Sequence, residues 1–138
     1  MPAGPERGRL VRGESIALAD GTVVHPDQVL GESVPGASLI YVGDAGRTDD
    51  LVEVCRGADA LVIEATYLEV EADLARKFGH LTAAQAATLA RRADVKQLLL
   101  THISRRYSER EVMAEAEPIF PNTIVARDFD RFRILKEK

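Results

Sequence analysis

Cysteine occurs only once in the 138 residues, at Cys55, so no disulfide can form within the chain. That thiol sits in the apolar-periodic stretch Leu51-Val-Glu-Val-Cys55, where a small buried hydrophobe is expected. With one cysteine and three histidines that lack paired spacing, a self-contained zinc finger is excluded. Any metal would have to be held by scattered histidines and carboxylates. No apolar run approaches the roughly 18 residues of a membrane span, and Met1-Pro-Ala-Gly-Pro-Glu-Arg-Gly8 has no apolar signal core. A cytoplasmic protein with no membrane partner is the expectation. A positive surplus is lacking as well: the formal net charge of −4 gives no bulk attraction to phosphate backbones, so contact with nucleic acid would need local basic patches. Linkers, low-complexity tracts and internal repeats are also missing. With 46% hydrophobic residues and 29% charged ones, the chain reads as one globular domain over 1–138.

What is present changes character near residue 37. Glycine and proline concentrate in residues 1–37, around β-type pieces Ser15-Ile-Ala-Leu18 and Thr22-Val-Val24 and the turn signal Asp20-Gly21, which predicts hairpins and loops. From Ser38 to residue 138, strand-like apolar runs alternate with helical patterns, the mark of an α/β arrangement. Strands are expected over Ser38–Val42, Ala60–Glu64 and Lys96–Thr101, with closing segments Thr123–Ala126 and Arg131–Leu135. A helix capped by Thr48 should stop at Gly57, and capping boxes Thr82-Ala-Ala-Gln85 and Ser108-Glu-Arg-Glu111 should open two more.

Three of these apolar strands run into a group able to do chemistry: Asp44, Glu64 and His102. Strand ends in α/β layers present side chains at one sheet edge, where sites assemble from residues far apart in sequence. Each group alone is more often a turn, solvated or core residue. His80, in Gly79-His80-Leu-Thr82, adds an imidazole on the loop before a helix, whose first amides and the Thr82 hydroxyl could bind a phosphate. Arg105 and Arg106 follow His102 and could clamp a phosphate, with Tyr107 stacking or packing beside them; a solvated basic turn is the plain alternative. His25, in a Val-Val-His-Pro loop, is read as structural.

Read in order, Gly43-Asp44, Glu64-Ala-Thr66, Gly79-His80-Leu-Thr-Ala-Ala-Gln-Ala86 and Thr101-His102-Ile-Ser-Arg-Arg-Tyr107 resemble the C-terminal motifs of ribonuclease Z. Arg12-Gly-Glu14, Pro26-Asp27-Gln-Val-Leu30 and Phe120-Pro-Asn-Thr123 extend the resemblance over almost the whole chain. It implies the C-terminal half of a metallo-β-lactamase αββα sandwich, α/β in class, with a mixed sheet and helices packed on one face. It also implies a zinc-dependent endonuclease that trims the 3′ end of precursor tRNA in the cytoplasm. By the same resemblance Asp44 bridges two zinc ions, His102 ligates one of them, and Glu64 with His80 handles a proton at the leaving group.

The chain departs from the family pattern at three polar places: Ile63 where histidine is usual, Ala45 where threonine is usual, and Leu81 where serine is usual. The family's His-x-His-x-Asp-His cluster does not occur either, and Asp44 with His102 cannot complete a tetrahedral zinc site. The expectation is therefore a truncated or split product, inactive alone, that pairs with a complementary N-terminal half or forms a homodimer. Two other readings stay open: a non-catalytic interaction remnant, or another phosphodiesterase or hydrolase of the same fold.

Overall fold

The computed structural model describes residues 4–136. The chain divides into two compact units, Met1–Pro35 and Gly36–Lys138. In the first, the two pieces expected to pair do so as an antiparallel hairpin, β1 (Ile16–Ala17) with β2 (Val23–Val24), Ile16 facing Val24. Its turn uses Gly21 at φ +87°, and the Asp20 carboxylate accepts from the Thr22 amide. The helix α1 (Pro5–Val11) was not expected from a glycine-rich stretch. Proline at its first position explains it, because the amide that proline lacks would have no helical partner there. At the open end of the hairpin, His25 Nδ1 lies 2.7 Å from Ser15 Oγ.

The second unit is built on β3 (Leu39–Val42), β4 (Ala60–Glu64), β5 (Leu98–Thr101) and β6 (Thr123–Val125), in that spatial order. All three pairings are parallel. The expected α/β class holds, but the expected mixed pairing is corrected, since antiparallel pairing among the described residues is confined to the hairpin. Each crossover carries a helix, which is how parallel neighbours are joined. These helices are α2 (Val52–Cys55), α3 (Ala72–Phe78), α4 (Ala83–Arg92) and α5 (Glu109–Ala116). Both predicted capping boxes form, at Thr82 with Gln85 and at Ser108 with Glu111. The helix expected from Thr48 is shorter, because a turn in which the Leu51 amide donates to the Thr48 carbonyl delays its start. Arg131–Leu135 forms no strand.

Alternation along the strands decides the faces. Leu61, Ile63, Leu98 and Leu100 are fully buried and share one cluster with Val52, Cys55, Val112 and the alanines of α4. Ala83, Ala86, Ala87 and Ala90 are wholly inaccessible, and such small side chains let α4 lie close to β4 and β5. Each fully buried leucine contributes roughly 1.5–3 kcal/mol, so these rows dominate the stability of the unit. On the other face, Leu39 and Tyr41 remain 53% and 73% exposed. No helix among the described residues is long and apolar enough to cross a membrane.

Candidate functional site

Parallel pairing brings the three strand ends to one edge. Val42 pairs with Ile63 and Ile63 with Leu100, so Asp44, Glu64 and His102 all emerge within two residues of a single line. His80 reaches the same edge by a different route. Gly79 closes α3 in the left-handed conformation (φ +71°), and the His80 amide donates to the Ala75 carbonyl, which turns the chain back toward the sheet.

Glu64 is the buried member, its side chain 1% exposed. A carboxylate cannot be buried bare, and here four groups meet it. The amides of Ala45 and Thr66 donate at 2.8 and 3.3 Å, the Thr66 hydroxyl donates at 2.5 Å, and His80 Nδ1 lies 3.2 Å away. The Thr66 oxygen also lies 2.9 Å from His102 Nδ1. A hydroxyl has one proton; with that proton given to Glu64, Thr66 accepts from His102 Nδ1. Thr66 is a candidate site residue that sequence reasoning passed over. It belongs to the Glu64-Ala-Thr66 triplet, yet only a fold could reveal that its hydroxyl joins two motifs 36 residues apart.

Asp44, His80 and His102 can each offer a ligand atom, and these atoms lie within 4.8 Å of one another. Asp44 and His102 side chains are 66% and 55% exposed, their closest approach 3.6 Å from Oδ1 to Nδ1, whereas His80 is only 18% exposed. His102 adopts φ +55°, unusual for a side chain larger than glycine and common where a site holds a residue in place. One carboxylate and two imidazoles suit zinc chemically. With His80 engaged by Glu64, however, Asp44 and His102 alone fall short of four ligands.

The three family departures do not disturb this geometry. Ile63 and Leu81 are fully buried in the helix-facing core, and at Ala45 the contributing group is the backbone amide. Of the expected phosphate contacts, Thr82 is corrected. It is fully buried, its hydroxyl donates to Glu69, and the Glu115 carboxylate accepts from the Ala84 amide, so this helix start is already filled by the chain itself. Arg106 is engaged by Glu71 at 2.5 Å, and the Tyr107 hydroxyl also donates to Glu71; burial, foremost, and that carboxylate raise the phenol's pKa. Arg105 makes no ion pair among the described residues.

These features place a candidate metal edge on an α/β sheet, and the chain belongs to the beta-lactamase superfamily, whose domain model matches residues 10–103. Within it, ribonuclease Z of Bradyrhizobium sp. is 50% identical over 134 residues, covering 97% of this chain and 44% of that protein. Ribonuclease Z of Archaeoglobus fulgidus is 46% identical, covering 94% and 42%. The chain thus spans less than half the length of the curated relatives it matches. Among solved structures, human tRNase Z, short form, aligns at TM-score 0.57 and 30% identity, over 81% of this chain and 35% of that one. The metallo-β-lactamase fold protein YhfI of Bacillus subtilis, at TM-score 0.62 and 23% identity, covers 66% and 37% and bears on the fold alone. The resemblance to ribonuclease Z read from the motifs is borne out along nearly the whole chain.

Proposed function

We propose that the chain carries part of a zinc-dependent endoribonuclease centre that removes the 3′ trailer of precursor tRNA in the cytoplasm, and that it is inactive until a complementary N-terminal half supplies the remaining ligands. The observation that carries this reading is the convergence of Asp44, His80 and His102 at one open sheet edge, with Glu64 buried behind His80, in a chain about half identical to ribonuclease Z. Residues 1–138 are read as part of a single such domain.

Asp44 and His102 would hold the metal in this reading. When bound, zinc supplies an activated water and stabilises charge at phosphorus. The chain's own residues manage the rest. Glu64, fixed by the amides of Ala45 and Thr66, orients His80 through Nδ1, so that the other ring nitrogen can give a proton to the leaving 3′ oxygen. Thr66 sets the orientation of His102. The exposed face carrying Leu39 and Tyr41 supports a partner sheet, from the complementary half or from a second copy in a homodimer.

The test mixes this chain with a separately produced N-terminal half of a ribonuclease Z, precursor tRNA and zinc or manganese. Cleavage is expected only in the mixture, leaving a tRNA 3′ hydroxyl and a 5′-phosphorylated trailer. No cleavage by the mixture, or cleavage by the chain alone, would sink the proposal.

A further inference from the structure

Phe129 is 99% exposed and holds φ +69°, a left-handed conformation that glycine adopts freely and a bulky side chain does not. It occupies that state because the turn around it is tied. The Arg127 amide donates to Asp130 Oδ2 at 2.9 Å, and the Asp130 amide donates back to the Arg127 carbonyl at 3.1 Å. A phenyl ring placed wholly in water and in a costly backbone state contributes nothing to the stability of this chain. Strain of that kind persists where it serves something else.

What lies beside it suggests the use. A cavity of about 370 Å³ opens next to the metal edge, lined by His102, Ser104, Arg105, Glu109 and Asp128, the residue before Phe129. Glu109 is neutralised by Arg127 at 2.7 Å. The Arg105 guanidinium and the Asp128 carboxylate make no hydrogen bond or ion pair among the described residues. A nucleotide needs these three things together: an aromatic face for its base, an acceptor for its hydroxyl or amino protons, and a cation for its phosphate.

We infer that Phe129 and the cavity between Arg105 and Asp128 form a subsite for a nucleotide adjoining the scissile phosphate, with the ring stacking on the base. This rests on the ribonuclease reading and adds to it a residue with no part in metal binding or proton transfer. Stacking on an exposed ring is tolerant of base identity, so the subsite would accept any base and discriminate against its absence.

The test titrates a 2-aminopurine-containing ribotrinucleotide against the wild-type chain, Phe129→Gly and Phe129→Trp by fluorescence and measures its abasic counterpart, which has no fluorophore, by competition against it, alongside thermal denaturation. The wild type should quench the fluorophore and prefer the base-bearing probe about tenfold, in the range of one base stack. Phe129→Gly should lose that preference while its Tm rises, a pairing of effects that a merely structural residue would not give. Phe129→Trp should keep the preference. Equal binding of the two probes by the wild type, or an undiminished preference in Phe129→Gly, overturns the subsite and leaves the ribonuclease reading intact. Reduced self-association of Phe129→Gly without a change in preference overturns it too, by assigning the ring to a protein interface. Failure to bind either probe also overturns it, while the ribonuclease reading is judged separately by the mixed cleavage assay.

Discussion

Strand β4 carries a buried carboxylate at each end, Asp59 just before it and Glu64 as its last residue, and the two are satisfied in different ways. Asp59 accepts from the Ser38 amide at 2.8 Å and the Ser38 hydroxyl at 3.2 Å, with Lys136 at 3.7 Å. The Ser38 amide, above all, holds its pKa below the usual carboxylate range against the opposing effect of burial, and Lys136 adds to the lowering. The Ser38 contacts close the start of β4 onto the start of β3, and Lys136 reaches the same carboxylate from the C-terminal segment. Glu64 has an equally dry position, but one of its partners is an imidazole that reaches solvent and stands beside two exposed metal-capable groups. One carboxylate ties two strands together; the other holds an imidazole at the open sheet edge. Burial alone does not tell the two acids apart; the chemistry of their partners does, an imidazole beside metal-capable groups at Glu64 and an ammonium at Asp59.

The largest effect that could break this contrast is at Glu64. Glu64→Ala should cost about 2–4 kcal/mol in chemical denaturation, because the Ala45 and Thr66 amides lose their buried acceptor. If it is tolerated, Glu64 is not the anchor described. Leu81→Ser should cost a similar amount, about 2–4 kcal/mol for a lost core side chain, yet leave unchanged the zinc affinity of the chain mixed with the N-terminal half. A gain in zinc affinity would place the position at the site after all. Thr66→Val should weaken zinc binding roughly 10- to 100-fold in a calorimetric titration by freeing His102. Asp44→Ala with His102→Ala should abolish that binding with stability changed by no more than about 0.5 kcal/mol, since both side chains are over half exposed. The smallest effect belongs to Asp59. Its lowered pKa means that it stabilises the fold above the unfolded carboxylate value of about 3.9 and that this contribution is lost as pH falls through the lower folded value. Unfolding free energy should therefore fall less steeply with acid in Asp59→Asn than in the wild type; equal slopes would mean that the Ser38 clasp does not form in solution.

Much of the fold was legible because its signals are local. Capping boxes at Thr82 and Ser108 depend on residues three apart, and the apolar runs of β4 and β5 need no knowledge of their neighbours. The helix α1 was hidden by Gly4 and Gly8, residues that weaken a helix on their own, although Pro5 suits its first turn. Arg131–Leu135 reads as a strand from its alternation, but a strand also requires a partner, and alternation cannot supply one. At the site, Asp44, Glu64, His80 and His102 could be picked out as strand-end and loop residues of the right chemistry. Thr66 and the occupation of the Thr82 helix start by Glu69 and Glu115 could not, since each depends on side chains brought together from distant positions.

The α/β class, the kinship with ribonuclease Z and four candidate site residues could be read from the sequence, because periodicity, capping and motif order are properties of a linear string. The parallel pairing of β3 to β6, the burial of Glu64 against the exposure of Asp44 and His102, and the Thr66 hydroxyl between Glu64 and His102 came from the fold. The reason is physical. Burial and hydrogen bonding depend on which distant residues share a neighbourhood, and here the strand register sets that neighbourhood.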